Sequence, residues 1–160
     1  MQTTDNKSST VSVLNDLVLI NNDRVAGYEK ALEELRSRKT DTGSDADLES
    51  LFASYITDSR EFSAELSREV NMLGEEAEEG TMASGKLYRA WMDVKALFSG
   101  KDRHTILSSC ETGEDAAQKA YKDALATEGI SENVRAIILK QQTELKRAHD
   151  KIKMLRDASA

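Results

Sequence analysis

Proline is absent from this chain of 160 residues. Because proline breaks helix interiors, its absence permits long uninterrupted helices. There is a single cysteine, Cys110, so no intrachain disulfide can form. No apolar run approaches the roughly 20 residues that a membrane-spanning helix needs. The 22 basic residues are dispersed among 29 acidic ones, the formal net charge is −7, and no Lys/Arg block stands out. Nucleic-acid binding needs a concentrated positive face, and none is present. The polar stretch Met1–Thr10 lacks the charged-then-apolar layout of a signal peptide. These absences point to the cytoplasm, with no membrane and no nucleic acid as partner. A Gly-rich phosphate loop, a nucleophile elbow and His-Glu-x-x-His are also missing, so no catalytic residue is assigned and a non-enzyme is expected.

What the chain does have is helical periodicity. Gly43, Gly74, Gly80, Gly100 and Gly129 punctuate five apolar-periodic runs, at points where a loop or C-cap calls for positive φ. The first run, from about Thr10 to Arg38, has the seam Leu14, Val18, Asn21, Val25, Tyr28, Leu32, Leu35. The second, from about Asp45 to Leu73, has Leu48, Phe52, Tyr55, Ser59, Phe62, Leu66, Val70, Leu73. A short third run, Met82 to Phe98, carries Leu87, Trp91, Val94 and Phe98. The fourth, from about Asp102 to Thr127, carries Ile106, Leu107, Cys110, Glu114, Ala117, Tyr121, Leu125. The fifth begins after Ser131 and reaches about Asp157 through Val134, Ile138, Gln141, Leu145, Ala148, Ile152, Leu155. Steps alternating between four and three residues place each set on one helix face.

Segment lengths suggest the topology. The four long segments are each about 40 Å at 1.5 Å per residue, and the third is only about 25 Å. Short loops at Lys39–Ser44 and Glu128–Ser131 make two hairpins, and the third segment returns the chain along the bundle. The expected fold is all-α: a four-helix bundle with a short crossover helix between the second and third long helices, which is the ferritin-like arrangement. A plain up-down array with a fifth packed helix is the rival. Residues 1–9 are expected to form a disordered tail and 10–158 a single domain.

The stretches VLNDLVLINNDRVAGYEKAL, SREFSAEL, LYRAWMDVKALFSGKDRHTILSSCETGEDAAQKAYKDAL and AHDKIKMLRDASA resemble a family of small bacterial proteins of unknown function, grouped with the ferritin-like bundles. The resemblance covers about Val11 to Ala158. It implies the fold and a bacterial origin, and no activity. A link to bacterial stress physiology follows only by analogy with ferritin-like relatives.

Ferritin-like di-iron and di-manganese centres use a Glu from each of two helices and Glu-x-x-His from each of the other two. This sequence does not match that pattern. The second long helix has no histidine, His149 has Lys146 three residues before it, and His104 falls near a helix end. No cofactor is therefore expected, with iron or manganese as the alternative. Asn21, Ser59, Glu114 and Gln141 occupy seam positions where an apolar residue is expected, all near mid-helix. A buried carboxylate is costly unless paired or hydrogen-bonded. One reading is a hydrogen-bonded polar core layer that fixes helix pairing, joined by the hydroxyls of Tyr28, Tyr55 and Tyr121. The other is a reduced metal pocket drawing on Glu61, Glu65, Glu111, Glu114 and His149. Cys110 and His149 fall at similar heights, and a small buried Cys beside a hydrogen-bonded His is the plain reading of that pair. Asp115 is expected to be solvated.

Trp91 either anchors the crossover onto the bundle or stands at a homodimer interface. Three functions follow as expectations: a non-enzymatic binding or structural bundle, a metal-binding bundle with an atypical carboxylate site, or a protein–protein interaction module.

Overall fold

The computed structural model describes residues 2–37, 45–77 and 103–159, with side chains in the first helix from Lys7 onward. Four helices make up the described chain: α1 Gln2–Ser37, α2 Ala46–Met72, α3 Arg103–Leu125 and α4 Glu132–Ala158. The predicted boundaries of α2, α3 and α4 lie within about two residues of these, the usual latitude of helix ends. The start of α1 needs correcting. It is helical from Gln2, so residues 2–9, expected as a tail, extend the first helix. The stretch contains neither glycine nor proline, so nothing in it stops a helix. The crossover segment Met82–Phe98, Trp91 within it, lies outside the described residues, as do Gly43, Gly80 and Gly100.

Local chemistry sets the helix ends. Gly74 has φ +81° beyond the last turn of α2. Its N–H donates to Asn71 O and that of Glu75 to Val70 O, closing the helix in a Schellman motif. Gly129, at φ +84°, turns the chain between α3 and α4. Ser131 then caps α4, its hydroxyl accepting from Val134 N–H at 3.3 Å. His104, in the first turn of α3, lies 3.2 Å from the carbonyl of Arg156 near the end of α4.

Packing gives each helix two main neighbours: α1 lies against α2 and α3, and α4 against α3 and α2. Contacts fix the directions. Asn22 meets Ser63 and Arg24 meets Ser59, so α1 and α2 are antiparallel. Arg24 meets Glu114 and Asn21 meets Tyr121, so α1 and α3 are antiparallel too. It follows that α2 and α3 run in the same direction. That is the relation of directions found in a bundle with a single long crossover. Among the described residues no helix is long and apolar enough to cross a membrane.

The apolar interior is split in two. One core gathers Tyr28, Leu32, Leu35, Leu48, Phe52, Ile106, Leu107, Cys110 and Ile152. The other gathers Leu14, Leu17, Val18, Leu66, Val70, Ala117, Val134, Ile138 and Leu145. Between them lies a polar layer.

Candidate functional site

The middle layer is built around Arg24 and Glu114, each about 1% exposed. Arg24 Nε donates to Glu114 Oε1 at 2.5 Å and Nη2 donates to Oε2 at 3.2 Å, a forked pair joining α1 to α3. Such bidentate geometry suits the planar guanidinium. Nη1 donates to Ser59 Oγ at 2.8 Å and to the Tyr55 carbonyl at 3.4 Å, tying in α2. The Arg24 guanidinium carbon also stands 5.2 Å from the Tyr28 ring centre and 5.1 Å from that of Tyr55, within cation–π range. Burial opposes the charge on Arg24, and Glu114 more than restores it, holding the guanidinium protonated.

From Arg24 a line of hydrogen bonds crosses the bundle. The Ser59 hydroxyl donates to Asn21 Oδ1 at 3.0 Å. Asn21 Nδ2 donates to Leu17 O at 2.9 Å and to the Tyr121 oxygen at 2.8 Å. Tyr121 donates to Gln141 Oε1 at 2.6 Å, and Gln141 Nε2 donates to Glu65 Oε1 at 2.9 Å and to Phe62 O at 3.4 Å. Every link donates in the same sense, from a buried cation to a carboxylate, so each polarises the next. The line does not conduct protons. A primary amide accepts at oxygen and donates at nitrogen, so Asn21 and Gln141 each interrupt transfer.

Asn21, Ser59, Glu114 and Gln141 thus come together in one layer drawn from all four helices, with Glu65 at its edge. Tyr121 joins through its hydroxyl, while Tyr28 and Tyr55 contribute their rings. Burial pushes the phenols of Tyr28, Tyr55 and Tyr121 above their usual range, and it does the same to the Cys110 thiol, with Glu114 adding to that shift. Glu61 is exposed, away from the layer. Sequence reasoning missed Arg24, the residue that organises the layer. The available signal was Glu114 itself, since a carboxylate on a buried seam calls for a cation from another helix.

A second cluster lies outside the layer, between α3 and α4. His149 places Nε2 at 2.7 Å from Asp115 Oδ1 and Nδ1 at 3.1 Å from Asp150 Oδ1. Burial alone would lower the imidazole pKa, and the hydrogen bonds to Asp150 and Asp115 outweigh it and raise the value. Glu111, one turn before Asp115, forms an ion pair with Arg156. His149 pairs with carboxylates here, and Cys110 is buried in one of the apolar cores. Asp115 is exposed, as expected, and nonetheless hydrogen-bonded.

Residues 9–127 match the family model of DUF2383, a domain of unknown function. The chain belongs to that family. No curated protein matches the DUF2383 chain. Among solved structures it is similar to a mutant of Mycobacterium smegmatis Dps1, with a TM-score of 0.76 and 12% identity, over 94% of this chain and 96% of that one. At that identity the likeness shows the fold alone, a ferritin-like four-helix bundle.

The middle layer does not fit the di-metal centre known from this fold. Both oxygens of Glu114 are engaged by Arg24. A guanidinium already stands at the centre and repels a second cation. α2 has no histidine, and His149 faces outward toward Asp115.

Proposed function

We propose that this DUF2383 chain is a non-enzymatic helical bundle, a binding or structural protein, in which an internal arginine–glutamate pair takes the part that a metal centre plays in other bundles of this shape. The observation that carries the reading is the forked Arg24–Glu114 pair, buried on both sides at mid-bundle. A buried group that attacks or exchanges protons needs an open valence and an open path. This layer has its hydrogen-bonding groups committed to one another, and amides interrupt its line. It holds α1, α2, α3 and α4 in one register, because a slip of any helix would strand a buried polar atom.

Metal analysis tests the reading. The full chain is expressed in medium supplemented with iron and manganese, then purified beside Glu114→Gln. The expected result is no stoichiometric iron or manganese that depends on Glu114. Stoichiometric metal that is lost on Glu114→Gln would overturn the proposal.

A further inference from the structure

We propose that α3 and α4 carry a divalent transition-metal site on the outside of the bundle, formed by Glu111, Asp115 and His149. Glu111 and Asp115 are four residues apart on α3 and share one face. His149 comes from α4, packed alongside. One ligand atom from each of the three lies within 4.8 Å of the others. His149 Nε2 and Asp115 Oδ1 are hydrogen-bonded at 2.7 Å and need to part only to about 3.3 Å to share one tetrahedral ion. The imidazole is aimed, because Asp150 holds the opposite nitrogen. A carboxylate behind a histidine fixes the ring and raises its basicity as a ligand.

Arg156 is the competitor, since it pairs with Glu111 in the absence of metal. It has a second anchor, Nη2 donating to Asp157 at 2.8 Å and Nε at 3.1 Å, so it can release Glu111 and remain held. The ion then replaces the hydrogen shared by His149 and Asp115, and Glu111 swings in as the third ligand. One imidazole and two carboxylates with open positions for water suit zinc or cobalt(II) better than magnesium or calcium. The site rests on two helices and lies away from the Arg24 layer, so it stands or falls independently of the proposed function.

Titration of the full chain with Zn2+, and with Co2+ as an optical probe, tests the site. One equivalent is expected to bind, raise the thermal midpoint and give cobalt absorption in the visible. His149→Ala and Asp115→Asn should each weaken binding at least 10-fold. Arg156→Gln should tighten it, because Glu111 loses its competing partner. Binding should survive His104→Ala and the double variant Arg24→Met/Glu114→Leu. Absence of saturable binding, or binding indifferent to His149→Ala and Asp115→Asn, would overturn the site. Metal lost only in the double variant would overturn both this site and the proposed function.

Discussion

Two arginine–glutamate pairs draw their glutamates from the same helix. Glu114 and Glu111 are three residues apart on α3, yet they belong to different worlds. Glu114 turns inward to Arg24, where neither partner reaches water, and Glu111 turns to Arg156 at the groove with α4. The chemistry of the two pairs is the same and burial separates them. In the interior a charge without its partner is stranded in a medium that cannot solvate it, so the pair is obligatory. At the edge water substitutes for either partner, which leaves Glu111 able to change its associate.

The largest test of this contrast is the removal of one carboxylate from each pair. Glu114→Ala should destabilise the fold by about 3–5 kcal/mol, because it strands the Arg24 cation. Arg24→Met/Glu114→Leu should recover much of that loss, since no unpaired charge remains. Glu111→Ala should cost under about 1 kcal/mol. Chemical denaturation of the four proteins measures all of this, and equal losses at the two glutamates would abolish the distinction.

A smaller effect sharpens the account of the inner layer. Tyr121→Phe keeps the ring and removes the hydroxyl that accepts from Asn21 and donates to Gln141. Two buried amide groups then lose a partner, and a loss of about 1–3 kcal/mol is expected by denaturation. A neutral result would mean that the line of hydrogen bonds contributes little.

The smallest effect concerns the bundle end, where Arg103 bridges to Asp47 at 2.7 Å and to Asp45 at 3.4 Å. The hydrogen bond from Arg103 holds the Asp47 carboxyl below its usual value. The sign follows from linkage: a depressed carboxylate contributes above its unfolded pKa, near 3.8, and the contribution fades as pH falls through the lower folded value. Asp47→Asn should therefore cost a few tenths of a kcal/mol at neutral pH, the scale of an exposed pair, and nothing in strong acid. Thermal melts of both proteins across pH 2–7 check this, and a difference that grows toward acid would contradict the assignment.

The helices and their seams were legible because a bundle repeats one physical demand every three or four residues. Leu14, Val18, Leu48, Phe52, Leu66, Leu107, Ile138 and Ile152 are all buried where the periodicity put them. The parallel course of α2 and α3 was legible from segment lengths and the two short loops. α1 was read incompletely. It buries Leu17, Ile20, Asp23 and Arg24 beyond its single seam, because it is covered on more than one side. Arg24 was illegible for a related reason. An arginine on a helix is ordinarily a solvated residue, and the partner that reverses this is 90 positions away on α3. The layer's neutral members were easier, since Asn21, Ser59 and Gln141 interrupt otherwise apolar stripes. Asp115 was read from its neighbours on α3, and its meeting with His149 depends on how two helices are rotated about each other, which neither stripe records.

Cys110 is the sole thiol of the chain, and it sits fully enclosed beside the Arg24 layer. Burial and the neighbouring carboxylate hold it in the unreactive protonated form. A thiol reagent can reach it only when the helices part. The pace of labelling is thus a clock for opening events, read without added dyes or engineered residues. The native sequence supplies its own stopwatch beside the pair that joins α1 to α3.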